Sequence, residues 1–105
     1  MTTQQVRDRT KTVTRRLGWW FLKHGDRVRA VRKAMGLRKG EKTEHLAIIE
    51  VVSTQTEPLC FITKDDCVKE GFPDFEPRDF INMLCDHYNV HQDITVNRIE
   101  FKYID

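Results

Sequence analysis

The stretch "KTVTRR", residues 11–16, sets Lys11, Arg15 and Arg16 around two threonine hydroxyls, Thr12 and Thr14, with Arg9 just upstream. Like charges this close repel, and within the local sequence Asp8 alone offsets them. Three kinds of chemistry fit such a pattern: a solvated strand edge, a patch that grips phosphate, or a lysine held beside a hydroxyl nucleophile. The last makes the heaviest demands. Threonine attacks only after a neighbour has taken its proton, and a lysine can take it only when neutral. An ordinary lysine titrates at about 10.4, so a value of about 7 needs an environment worth about 4–5 kcal/mol against the ammonium. Burial in a concave site and repulsion from Arg15 or Arg16 both push in that direction. A regular strand puts Lys11 and Thr14 on opposite faces, because their separation is odd. A bulge or turn at Val13 would bring them together.

Downstream, Trp19 and Trp20 have the shape to stack an unpaired base, or equally to anchor a small core. Arg27, Arg29, Arg32, Lys33, Arg38 and Lys39 follow on a hairpin-like segment, where they could track phosphates or coat a solvated strand face. Metal chemistry has little footing. Cys85 and His87 are two apart on a helix and point away from each other, and His24, His45 and His91 lack paired ligand spacing. Neither a Gly-rich phosphate loop nor a Ser-His-Asp pattern can be read, so neither metal nor cofactor is expected.

These residues sit in a chain of 105 residues, which is expected to form one domain, 1–105, with a single modest core. Hydrophobic content of 39% and charged content of 32% exclude wholesale disorder. The longest apolar run, "LAIIEVV", is too short to span a bilayer. No charged start followed by an apolar run marks a secretory signal. Three scattered cysteines, Cys60, Cys67 and Cys85, suit a reducing cytoplasm better than a disulfide framework. The expected state is a cytoplasmic monomer. Charge is split: residues 1–44 hold 13 Lys and Arg against 4 Asp and Glu, a balance of +9, and residues 45–105 hold 5 against 12, a balance of −7. That split hints at nucleic-acid contact through the basic half, or at basic solvent faces alone.

The elements that must position the candidates read as follows. "TTQQVRDRT" predicts a short helix capped by Thr2 or Thr3, and β-branched "KTVTRRL" predicts an extended segment. "GWWFLKHGDRV" breaks at glycine, buries aromatics and turns at "HGD". "RVRAVRKAM" is a strand, and "GLRKGEK" a hairpin turn. "HLAIIEVVS" is apolar on both faces except at Glu50 and predicts a central buried strand, interrupted by "TQTEPL" with Pro58 at a bend or edge. "TKDDCVKEG" predicts a helix with Thr63 as cap and Gly71 closing it. "PRDFINMLCDHYN" predicts a helix opening at Pro77, its stripe made by Phe80, Met83, Leu84, His87 and Tyr88. "TVNRIEFKYI" closes as an alternating strand, Ile99, Phe101 and Tyr103 inward and Arg98, Glu100 and Lys102 outward. The sum is an α+β layout, a small β-barrel or strongly curved sheet with two or three helices.

"RTKTVTRRLG", "FLKHGDRVRAV", "IIEVV", "EPLCFIT", "EGFP" and "VNRIEFKYI" together resemble an ASCH-domain protein, from about Thr10 to the end of the chain. The resemblance implies the fold of the PUA-like superfamily, small β-barrels associated with RNA, and a tone closest to the small stand-alone bacterial and phage proteins. One branch that it is similar to, the N(4)-acetylcytidine amidohydrolases, carries Lys-Thr-x-Thr-x-Arg, which here falls on Lys11, Thr12, Thr14 and Arg16. That likeness implies a catalytic set of Lys11, Thr14 and Glu70, the glutamate lying seven residues after Thr63. The expected function is recognition of RNA or a modified nucleoside through a basic cleft, with Thr12, Arg15, Arg16, Trp19, Trp20, Arg27 and Lys33 as contacts. The alternatives are deacylation of an acylated cytidine by the Lys-Thr-Glu set or, with less support, a ribonuclease in which the cations stabilise phosphoryl charge.

Overall fold

A computed structural model describes residues 3–31 and 45–105. The expected hairpin turn "GLRKGEK", and with it Arg32, Lys33, Arg38, Lys39 and the capping Thr2, lie outside the described residues. The elements are α1 (Thr3–Arg7), β1 (Val13–Arg16), β2 (Arg27–Val31), β3 (His45–Pro58), a 3₁₀ turn at Leu59–Phe61, α2 (Lys64–Lys69), α3 (Pro77–Tyr88) and β4 (Thr95–Tyr103). The strands form one antiparallel sheet in the order β1-β4-β3-β2. Among the described residues it is an open sheet with β1 and β2 at its edges, so the closed barrel expected from the resemblance is not formed by these strands.

β3 runs unbroken for 14 residues through "TQTEP", which the sequence had suggested as an interruption. β4 supplies the reason: it pairs with β3 from Tyr103 back to Thr95, giving Thr54, Thr56 and Glu57 ladder partners. The irregularity falls instead at Val52, where the register shifts between Val51 and Ser53, a bulge that bends and twists a long strand. Pro58 ends the strand, where its missing N–H costs nothing to the ladder.

Period-2 alternation on β4 divides the core. Ile99 and Phe101 face one side, where α1 lays Val6 against Ala47, Ile49 and Phe101, and where Leu22 caps Val51 and Ile99. Val96 faces the other, beneath Leu59, Ile62, Cys67, Phe80 and Leu84. Arg98 shares that second face. It was expected to point to solvent, but α2 covers it and it is only 16% exposed.

The helices over the second face have well-defined ends. Thr63 caps α2 by accepting the Asp66 N–H at 3.2 Å. Gly71 follows in the left-handed region, φ 95°, a conformation that a side chain disfavours. Glu76 and Asp79 form a reciprocal capping box on α3, with Pro77 in its first turn. The apolar stripe of α3 is only partly core: Phe80 and Leu84 are buried, and Met83, His87 and Tyr88 are exposed along one side. No helix among the described residues is long and apolar enough to cross a membrane.

Candidate functional site

Lys11 lies just before β1, outside the strand, so strand alternation does not govern its direction. Its peptide N–H bonds to the Gln5 carbonyl, and its own carbonyl accepts the Tyr103 hydroxyl. The neighbouring Thr12 bridges two elements, donating to the Lys69 carbonyl and accepting from the Phe101 N–H. These contacts tie the chain before β1 to the end of α2, and so to Glu70.

Lys11 and Glu70 are 3% and 1% exposed. The Lys11 ammonium donates to Glu70 Oε1 at 2.6 Å and to the Glu70 carbonyl at 3.1 Å. Glu70 Oε2 accepts from Arg15 Nη1 at 3.3 Å. Arg15, its side chain only 1% exposed, also donates to Glu57 at 3.1 Å and to Asp66. Arg98 grips both Asp66 oxygens, at 2.8 and 3.0 Å. The result is a buried network of three cations, Lys11, Arg15 and Arg98, and three carboxylates, Glu57, Asp66 and Glu70. Two protonation equilibria respond. Burial pulls the Lys11 ammonium below its ordinary value, with Arg16 and Arg15 adding to the effect and Glu70 opposing it. Hydrogen bonds from Arg98 and Arg15 hold the Asp66 carboxyl well below the usual carboxylate range.

Above this network lies a cavity of about 280 Å³. Its floor is Lys11, Thr14, Arg15 and Glu70. Its far wall is α3, through Phe80, Met83, Leu84, His87 and Tyr88, with Phe72 stacked on Phe75 beside it. Thr14, Arg15 and Arg16 are consecutive on β1, an edge strand among the described residues, and all line the cavity, so it lies along the edge of β1 away from β4. Pairing with Ile99 puts the Thr14 side chain on the Ile99 face, opposite Arg15. Among the described residues the Thr14 hydroxyl has no hydrogen-bond partner, and no hydrogen bond joins it to Lys11.

The remaining candidates separate. Arg16 lines the cavity with its guanidinium 3.9 Å over the Trp19 ring. Trp19 is half-buried against the Leu22–Val51–Ile99 cluster, and its carbonyl accepts from Asn97 Nδ2 at 3.0 Å. Trp20 is 54% exposed and does not line the cavity. Arg27 is on β2, away from the cavity, and pairs with Glu50 at 3.5 Å. Lys33 is outside the described residues. Among the described residues no group of His, Cys, Asp and Glu forms a metal cluster. Sequence reasoning missed Phe72, Glu57, Asp66 and Arg98. For Asp66 and Arg98 a signal existed, since an acid on the third residue of a helix and an arginine in an alternating strand could meet only if the helix lay on that strand. For Phe72 and Glu57 there was none.

The comparisons rest on structure. No family model and no curated protein matches the sequence. A crystal structure of a protein from Enterococcus faecalis, described by the family model DUF984, is similar at a TM-score of 0.70 and 16% identity, covering 98% of this chain and 69% of that one. An ASCH domain from Lactobacillus crispatus is similar at a TM-score of 0.63 and 16% identity, covering 96% of this chain and 69% of that one. The chain has an ASCH-like fold.

Proposed function

We propose that the protein recognises a single nucleobase, free or within RNA, in the cavity between β1 and α3, with the Lys11–Glu70 pair reading the polar edge of the base. The observation that carries this reading is a small cavity with apolar and aromatic walls over a buried charged floor. Its volume of about 280 Å³ lies at the lower edge of small-molecule sites, about 300–1,000 Å³. That size suits one flat ring and not a folded RNA segment. Apolar walls with a few convergent polar groups are the usual build of such sites. The ASCH-like fold, which the first resemblance associates with RNA, supports the choice of nucleobase.

A second reading is deacylation of an N(4)-acylated cytidine, favoured by the lowered proton affinity of Lys11 and the unpartnered Thr14 hydroxyl on the same cavity. In that reaction Lys11 would take the Thr14 proton, the hydroxyl oxygen would attack the acyl carbon, and the C–N bond would break as that proton passes from Lys11 through Glu70 to the departing amine. Water would then hydrolyse the threonine ester, releasing acetate and restoring the hydroxyl. Recognition ranks first because the Lys11 ammonium is engaged by Glu70 and not by Thr14.

Calorimetric titration of the purified protein with cytidine, N(4)-acetylcytidine and a short single-stranded RNA separates the readings, with chromatography to detect released acetate. Saturable nucleoside binding that Lys11→Met removes supports recognition. Acetate release that Thr14→Val abolishes supports the enzyme. RNA binding unchanged by Lys11→Met, with no nucleoside binding, would place any RNA contact elsewhere.

A further inference from the structure

The cations around the cavity differ in one respect. Lys11 has Glu70, Arg15 has Glu57, Asp66 and Glu70, and Arg98 has Asp66, with Glu57 and Glu100 at 3.9 Å. Carboxylates thus offset all three of these cations, a balance that leaves no excess positive charge beneath the cavity. Arg16 stands outside that balance. Among the described residues it has no carboxylate partner, and its guanidinium lies over the Trp19 ring at 3.9 Å. It is half-buried on the rim, while the floor residues Lys11, Thr14 and Glu70 are buried.

A guanidinium stacked on an indole keeps its in-plane donors free and its orientation fixed. Such a fork matches the geometry of a phosphate oxygen pair. The opposite wall has the wrong polarity for an anion, because Met83, Leu84, His87 and Tyr88 lie in the last two turns of α3, toward the negative end of the helix dipole. On that wall His87 alone could donate to an anion as a cation, so an anionic substituent on a bound base is favoured at the β1 side, where the charge is permanent.

We infer that Arg16 is a phosphate-binding residue on the rim of the base cavity, so that the ligand is a nucleotide or a nucleotide within a strand, and not a neutral nucleoside. This rests on the nucleobase reading of the cavity. The shared chemistry is a phosphate ester one sugar away from the base. It is supplied either by a mononucleotide or by the phosphodiester of RNA.

The test compares cytidine, cytidine 5′-monophosphate and the dinucleoside monophosphate cytidylyl-uridine by calorimetry at low salt. The phosphate should improve affinity about tenfold, the effect of one charge-assisted pairing, and the gain should shrink as salt rises. In Arg16→Gln the ratio of nucleotide to nucleoside affinity should fall to about one, whatever the absolute affinities, and Arg16→Lys should restore part of it. A gain for the dinucleotide as well as the monophosphate supports the inference with RNA as the source. A gain for the monophosphate alone supports it with a free nucleotide as the source. Cytidine binding with no gain from phosphate would overturn the inference and leave the base reading intact, as would a gain that survives Arg16→Gln. Binding of neither cytidine nor nucleotide would overturn the base reading, and the inference with it.

Discussion

The Lys11–Glu70 pair makes a quantitative claim on stability. Both groups are buried, the contact is 2.6 Å, and each has a different fallback. Glu70→Leu strands the Lys11 ammonium with a single backbone carbonyl, whereas Arg15 keeps Asp66 and Glu57. Removing one partner of a buried pair costs about 3–5 kcal/mol, and this variant should fall in that range. Lys11→Met leaves Glu70 with Arg15 at 3.3 Å, so its cost should sit near the lower end, about 3 kcal/mol. The double variant removes both charges, and replacing a buried pair by apolar groups is often close to neutral. It should therefore be more stable than the sum of the single effects predicts, by more than about 3 kcal/mol. Equilibrium urea unfolding of the four proteins at neutral pH measures the cycle. Additivity within about 0.5 kcal/mol would refute the coupling. Glu70→Leu carries a pH signature too. Glu70 opposes the depression of Lys11, so its loss lowers the lysine further below 10.5. In the window between that folded value and 10.5 the unfolded chain holds more protons, so the variant's stability should rise with pH there.

Other perturbations test the frame around the site. Leu84→Ala opens the core beneath α3, where Leu84 packs with Phe80 and Leu59, and should cost about 2–5 kcal/mol by urea unfolding. Gly71→Ala would put a Cβ 2.7 Å from Gln5 Cβ at φ 95°. Gln5 Cβ is fixed to the α1 backbone, so that segment must shift in addition to the left-handed strain, and a loss of about 3 kcal/mol or more is expected. The depressed Asp66 carboxyl contributes stability that is fully present above its unfolded value of 3.8 and is lost as pH falls through the folded one. Asp66→Asn should remove that part of the acid limb in a pH series of unfolding midpoints.

The fold was legible where periodicity and cap chemistry agreed. Pro77 and the Phe80–Leu84 spacing located α3, and Thr63 located α2, because both signals depend on local backbone geometry alone. The length of β3 was not legible, since "TQTEP" pairs only because β4 is there to receive it. Local propensity gives no view of a partner 40 residues away. Val52 is a bulge for the same reason. At the site, Lys11, Thr14 and Glu70 line one cavity, but only the resemblance linked them, as no local rule connects residue 11 to residue 70. Arg15 was read in part. Its charge does help to lower the Lys11 ammonium, but the sequence did not show that in the fold it is also paired with Glu57, Asp66 and Glu70.

The same correction applies to the charge split along the chain. A balance of +9 in residues 1–44 against −7 in residues 45–105 pointed outward, to an anionic partner. Part of it points inward. Lys11 and Arg15 from the basic half are neutralised by Glu57, Asp66 and Glu70 from the acidic half, and Arg27 meets Glu50 across the β2–β3 ladder. The two halves are held together by the asymmetry that made them look like separate electrostatic bodies. A cation count along the sequence therefore overstates what is available to a nucleic acid. The informative cations are those left over after the internal pairs are made, and at the cavity Arg16 is the one left over among the described residues. A basic patch of many lysines and arginines would bind RNA with a steep dependence on salt, set by the number of phosphates neutralised. One residual arginine at a base-sized cavity implies a shallow dependence, with a slope of about one phosphate. A steep slope measured on single-stranded RNA would show that residues beyond the cavity dominate binding.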